Sequence, residues 1–400
     1  MKKILAVTLA MLMLLSFTAC GGDAPAEDNG DASTTTTTST TVAENTDPTT
    51  TTTGDTTAPT DDTTAPTEGS TTGVVSDPTT GTTTQKPTEG TTTVKPTTTT
   101  TQKPTTTTTE AEDNRPTIKI LSIGHSFSRD AMDTYMADLF KAAGYNATFG
   151  YLYYPGASLE RQYHYVKDDS TSYQMYNKCV DGKWYYSDGS ANASIALYDE
   201  DWDIVTFQPS PDYGKGTMKY DCEWGCHRQV NDYDHFDDLV NLVKKKLANI
   251  GNKDVKFYWH LTWSFATDCK LWSFQYSNYN QQTMYWDFIK ATGQYVSTNP
   301  NIKGTIPCNT AIQNIRSSWM GDTFNEPGNY DPDGDGYHLN DKGDLVAAMT
   351  WVAYFTGKSA TEFKIKTPYS DRQYAAFAEA VDNAIKTPLN ITKSTYTTES

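Results

Sequence analysis

The sequence predicts a three-layer α/β/α domain built on a parallel sheet, set behind a disordered Thr-rich stalk. Three observations carry that expectation. From residue 117 onward, short apolar runs alternate with stretches whose apolar residues recur at helical spacing, the pattern of strands connected by crossover helices. Between residues 21 and 116 the chain is dominated by Thr, with Pro, Gly, Asp and Glu and almost no large apolar residue, so it cannot bury a core. The remainder, residues 117–400, is long enough for one large domain with a substantial interior.

The first element is an export signal over residues 1–20. Lys2 and Lys3 precede an apolar run from Ile4 to Phe17 that ends in Thr18-Ala19-Cys20. That run is short for a membrane span, and a small residue before Cys20 resembles a bacterial lipobox, in which the cysteine is lipidated and becomes the mature N-terminus. An ordinary secretory signal cleaved near Cys20 is the simpler alternative. Either way, everything after Cys20 is expected outside the cell, and the lipidated form would be anchored to the outer face of the membrane.

The stalk, 21–116, carries a loose repeat in "QKPT", "VKPT" and "QKPT". Fully extended, at the polyproline rise, it would reach on the order of 300 Å. It holds 4 basic and 15 acidic residues, −11 of the chain's net −17, and the signal adds +2, which leaves −8 on residues 117–400. Two acidic exported segments argue against nucleic acid as a partner and against electrostatic binding to anionic lipid.

Within the domain, assigned to 117–390, "TIKILSI" reads as a buried strand and "SRDAMDTYMADLFKAAGY" as a helix stopped at Gly144. "NATFGYLYY" is a second strand, Gly156 breaks the chain, and "SLERQYHYV" is helical. Residues 168–200 read as an insertion, with "MYNKCVDGKWYY" a hairpin around Asp181-Gly182. Regular alternation resumes with the strand "WDIVTFQ", the helix "HFDDLVNLVKKKLANIG", the strand "VKFYWHLTW", a helix within "QQTMYWDFIKATGQYVST" and a strand around "GTIPCNTAI". Two helices close the domain, "DKGDLVAAMTWVAYFTG" and "SDRQYAAFAEAVDNAIK". In such sheets ligands bind beyond the carboxyl ends of the strands, and Ser126, Gly156 and Gln208 all fall there.

Ser126 stands between the first strand and the first helix, where a hydroxyl can be exposed and a helix N-terminus favours developing negative charge. The plainer alternative is a helix cap, because Ser commonly caps helices. Far along the chain, "DPDGDGYHLN" places Asp335 three residues before His338. A serine hydroxyl needs a base to take its proton, and the base needs a third group to fix its tautomer. The Gly-x-Ser-x-Gly elbow of the alpha/beta-hydrolases is absent, since Ser128 replaces the last glycine.

A Gly-x-Ser after the first strand, a glycine after the second, a polar amide after the third and an Asp-x-x-His near the C-terminus resemble the SGNH (GDSL-type) hydrolase superfamily. The stretches "IGHSFS", "PGASLE" and "TFQPS" look like a subfamily of SGNH-like bacterial surface lipoproteins. The resemblance implies a flavodoxin-like fold and a serine esterase or deacetylase. Ser126 would be the nucleophile, His338 the base and Asp335 its orienting acid. It also implies oxyanion donors at the backbone N–H of Ser126, at that of Gly156 and at a side-chain amide. Gln208 is the substitute for that amide here, because the Gly-x-Asn-Asp block of the relatives is missing. No cofactor and no metal is called for.

Other patterns point elsewhere. Asp331, Asp333, Asp335 and Gly336 match the start of a calcium loop, but Lys342 stands where its closing carboxylate should be. "CEWGCH" has three residues between its cysteines where haem attachment has two, so a Cys222–Cys226 disulfide or two thiols fits better. His164, His227, His235 and His260 show no spacing that argues for a metal. Trp184, Tyr185, Tyr186, Trp224 and Trp263 are candidates for an aromatic carbohydrate platform, with the 168–200 insertion the favoured source. The expected function is hydrolysis of acyl esters, with O-acetyl groups on carbohydrate as the favoured substrate. The rival is a non-catalytic glycan-binding or adhesion module on the same scaffold.

Overall fold

A computed structural model describes residues 113–187, 189–209, 217–220, 228–274, 280–328 and 334–400. The export signal with Cys20, the stalk up to residue 112, and Cys222, Trp224, Cys226, His227, Asp331 and Asp333 lie outside these residues.

Strands form where β-branched and aromatic residues cluster and both faces can be covered. Five run parallel: β1 (Thr117–Gly124), β2 (Asn146–Tyr153), β5 (Ile204–Phe207), β8 (Lys256–His260) and β9 (Ile302–Ile306). The hairpin around Asp181-Gly182 is present as β3 (Met175–Val180) and β4 (Lys183–Tyr185), and it extends the same sheet antiparallel beside β2. The order is β4-β3-β2-β1-β5-β8-β9. Its parallel part is the flavodoxin-like order, with the direction of winding reversing at β1 and β5. A separate hairpin pairs β6 (Thr217–Tyr220) with β7 (Arg228–Asn231).

Helices cover both faces. On one side lie α1 (Ser126–Met132), α2 (Met136–Ala142), α8 (Cys308–Arg316), α9 (Asp341–Thr356) and α10 (Asp371–Lys386); on the other, α3 (Leu159–Lys167), α4 (Ala193–Tyr198) and α5 (Phe236–Asn249), while α6 (Leu271–Phe274) and α7 (Gln281–Ala291) come between β8 and β9 in the chain. Helix α9 is the pillar of its layer. Leu345 through Ala353 are buried without a break, as expected of a helix that is apolar all round and enclosed by α1, α2, α8 and α10. Asn340 caps its start, accepting from the N–H groups of Lys342 and Gly343, and Gly357 ends it at φ 68°.

Two elements differ from the sequence expectation. The single helix expected over 128–145 is broken at Asp133–Tyr135, where Thr134 donates to Asp344 and Tyr135 to Asp341 at 2.6 Å. Asp and Thr are weak helix formers, and these side-chain bonds to α9 compete with helix continuation. The expected strand around "GTIPCNTAI" stops at Ile306; Pro307, lacking an N–H, starts α8 instead. The fold also continues past residue 390, with Trp319 N–H bonded to the Tyr396 carbonyl.

Candidate active site

The site is assembled where β1 ends. A Cβ on Gly124 would stand 2.7 Å from Ser128 Oγ and 2.8 Å from both Cδ and Nε2 of Gln208, so only glycine allows the strand to pass that close. His125 then caps α1: its Nδ1 accepts from the Phe127 N–H at 3.4 Å, while Nε2 lies 2.8 Å from the Pro209 carbonyl. Those partners define an Nε2–H tautomer. Burial pushes the pKa of His125 down to about 4, so it stays neutral. With the cap supplied by His125, Ser126 becomes the first helical residue and its hydroxyl is available for another partner.

That partner is His338, whose Nε2 lies 2.7 Å from Ser126 Oγ. On the far side of the ring, Nδ1 lies 2.5 Å from Asp335 Oδ2. Asp335 Oδ1 is fixed by two backbone N–H groups, those of Tyr337 at 2.8 Å and His338 at 2.9 Å. A carboxylate can only accept, so Nδ1 carries the proton and Nε2 is left to accept from serine. Burial by itself would lower the pKa of His338, but the bond to Asp335 and the charges of Asp130 and Asp335 outweigh it and the pKa is raised. For Asp335 burial acts upward, yet the bonds from His338 and the two backbone N–H groups prevail and hold its carboxyl below the usual range.

The loop carrying this pair is pinned from several sides. Gly336, at φ 78°, passes so close to Cys269 that a Cβ would stand 2.7 Å from its Cα, and its carbonyl accepts from the Ala266 N–H at 2.8 Å. The Tyr337 carbonyl accepts from Trp263 Nε1 at 2.9 Å, and the His338 carbonyl from the Glu326 N–H at 2.8 Å. Phe127 stacks on Trp263 at 4.5 Å and meets the His338 ring edge-on at 5.7 Å. Trp263 is thus a buried support for the loop rather than part of a sugar platform.

The Tyr154 N–H donates to the Gly124 carbonyl at 3.2 Å, which sets the turn after β2 beside the nucleophile. Gly156 occupies that turn at φ 55°. Among the described residues, the N–H groups of Ser126 and Gly156 carry no hydrogen bond. Gln208 behaves differently from its sequence expectation as an oxyanion donor. It is 1% exposed, and its Oε1 accepts from Ser128 Oγ at 2.8 Å and from His260 Nδ1 at 2.9 Å. Its Nε2 is turned toward the His125 carbonyl at 3.5 Å. Two donors competing for one amide oxygen fix the side chain inward, in a chain that Ser122 extends by a 2.7 Å bond to Ser128. Burial lowers the pKa of His260 to about 3, so it too is neutral.

Sequence reasoning missed Asp130. It lies four residues after Ser126, one turn along the same helix face, and that spacing was the available signal. Its Oδ2 accepts from the Leu339 N–H at 3.1 Å, and burial raises its pKa to about 7. The expected aromatic platform is divided. Trp184 packs on Phe149 and Tyr151, whereas Tyr185 and Tyr186 are exposed beside a cavity of about 440 Å³ that Tyr176, Lys178 and Asp199 also line. That cavity belongs to the sheet edge at β3 and β4, with β2 between it and β1. Cys179, Cys269 and Cys308 are buried free thiols.

With strand order and site described, the protein classes as an α/β protein whose parallel strands follow the flavodoxin-like order expected from its sequence. A family model described as a domain of unknown function, DUF4886, matches residues 119–382, and the chain belongs to that family. It is similar to the crystal structure of a DUF4886 family protein from Bacteroides uniformis ATCC 8492, with 30% identity and a TM-score of 0.59 over 69% of this chain and 98% of that one. More distant are an acetyl xylan esterase, AlAXEase (14% identity, TM-score 0.33, 59% of this chain and 99% of that one), and a lipolytic G-D-S-L family member from Veillonella parvula DSM 2008 (13%, 0.32, 60% and 98%). No curated protein matches.

Proposed function

We propose that the domain is a serine esterase that removes acyl groups, O-acetyl above all, from carbohydrate. The observation that carries this reading is the unbroken hydrogen-bonded chain from Ser126 through His338 to Asp335 at the carboxyl edge of the sheet. Binding alone does not need those three groups in series. His338 Nε2 takes the proton as Ser126 Oγ attacks the ester carbonyl, and the imidazolium is stabilised by Asp335. The N–H groups of Ser126 and Gly156 hold the oxyanion, with Gln208 bracing the strand ends from beneath. His338 then protonates the departing sugar hydroxyl, and water, deprotonated by the same imidazole, releases acetate and restores Ser126.

Carbohydrate is favoured by the export signal, the stalk and the exposed tyrosines at the sheet edge. We place the domain outside the cell, tethered through a lipidated Cys20. The test is acetate release from an aryl acetate and a panel of acetylated polysaccharides by the protein and its Ser126→Ala and His338→Ala variants. Each variant should lose at least about 1,000-fold in kcat. Equal, slow release by all three proteins would overturn the esterase reading, and glycan affinity that survives Ser126→Ala would then favour a binding module.

A further inference from the structure

The fold brings together two histidines and a glutamate that the sequence keeps apart. Glu160 and His164 sit one turn apart on α3, and His235 ends the 3₁₀ turn Asp232–His235 that leads into α5. One ligand atom from each of the three lies within 4.8 Å of the other two. We propose that Glu160, His164 and His235 form a binding site for a divalent transition-metal ion, Zn2+ by preference.

The donor set is the first argument. One carboxylate and two imidazoles make a Glu/His/His tripod of borderline-soft nitrogen and hard oxygen, which suits Zn2+ and not Mg2+ or Ca2+. Bonds of about 2.1 Å in a tetrahedral site put ligand atoms about 3.4 Å apart. The present spacing therefore needs to close by about 1.4 Å at most, within reach of side-chain rotation. Three protein ligands would leave a fourth position to water.

The second argument is that His235 is already held. Tyr163 stacks on its ring at 4.6 Å with the planes 8° apart, and Asp238 Oδ2 lies 3.5 Å from its Nδ1. A carboxylate beside a ring nitrogen is the outer-sphere partner that metal-ligating histidines commonly have. Glu160 is itself only 5% exposed, and a buried carboxylate is a favourable place for a cation. Helix α3 follows directly from the Gly156 turn, so the ion would tie the helix after that turn to α5. This inference does not depend on ester hydrolysis.

The experiment uses the full-length protein without a polyhistidine tag, titrated with Zn2+ by calorimetry and with Co2+ by visible absorption at neutral pH. We expect one strong equivalent with Kd below about 1 µM and tetrahedral Co2+ bands. Loss of an outer-sphere partner costs about 10- to 100-fold, so His164→Ala and His235→Ala should each weaken binding by at least about 100-fold. Glu160→Gln keeps the shape of the side chain, and its thermal melt without metal should match the unmodified protein while Zn2+ affinity falls. Zn2+ binding weaker than about 100 µM, affinity undiminished by these substitutions, or preference for Ca2+ or Mg2+ would each overturn the proposal.

Discussion

Asp335→Asn tests the direction of the proton chain without altering its shape. The two backbone N–H groups of Tyr337 and His338 converge on one oxygen of Asp335, so an asparagine there is steered to keep its carbonyl on them. Its NH2 group then faces His338 Nδ1 across the present 2.5 Å contact. Two donors cannot share that bond, so Nδ1 must give up its hydrogen and Nε2 must carry one. An Nε2–H cannot accept the proton of Ser126. The loss expected from a wrong tautomer is about 10,000-fold in kcat, equivalent to about 5.5 kcal/mol of barrier, with little change in KM. Stability should fall by only about 1 kcal/mol, because the pair is partly solvated and the backbone bonds survive. Asp335→Ala should cost more stability, since it leaves both backbone N–H groups without their acceptor. Aryl acetate kinetics with a thermal melt on each variant separates the two effects. An Asp335→Asn protein that melts normally and keeps more than about a tenth of its activity would refute the tautomer argument.

Further outcomes follow from the same geometry. His338 acts as a base only when neutral, and its pKa is raised, so kcat/KM should fall as pH drops through a midpoint above the ordinary histidine value near 6.5; Asp130→Asn removes one of the charges that raise it and should move that midpoint to lower pH in a pH–rate profile. Gly124→Ala forces a Cβ against Ser128 and Gln208, so it should cost about 1–3 kcal/mol and lower the melting temperature by a few degrees, with ester turnover reduced as Ser126 is displaced. Gly156→Ala, whose Cβ meets nothing within 4 Å, should cost only the strain of its positive φ, about 1–2 kcal/mol.

The parts of this protein that were legible in its sequence are those written locally. Buried strands and amphipathic helices announce themselves by period, and Gly-x-Ser and Asp-x-x-His stand at element ends where the topology brings strand termini together. What sequence left open depends on partners distant along the chain. The helix cap considered for Ser126 is supplied instead by His125, whose ring is set by the distant Pro209 carbonyl beside its Nε2. The inward turn of Gln208 follows from Ser128 and His260, 80 and 52 residues away. The break at Asp133–Tyr135 depends on acceptors in α9, and the edge ribbon of β3 and β4 could be read as a hairpin but not docked. Sequence spacing offered no argument for a metal at His164 and His235, because their proximity arises only from the packing of α3 against the segment leading into α5.

The central claim is that Ser126 is a nucleophile activated by His338, and covalent trapping tests it most directly. The protein is treated with a fluorophosphonate, digested and mapped by mass spectrometry beside the His338→Ala variant. The account predicts one phosphonyl adduct, on Ser126, with labelling of the variant slowed at least about 1,000-fold. An adduct on a different residue, or equal labelling of Ser126 in both proteins, would contradict it.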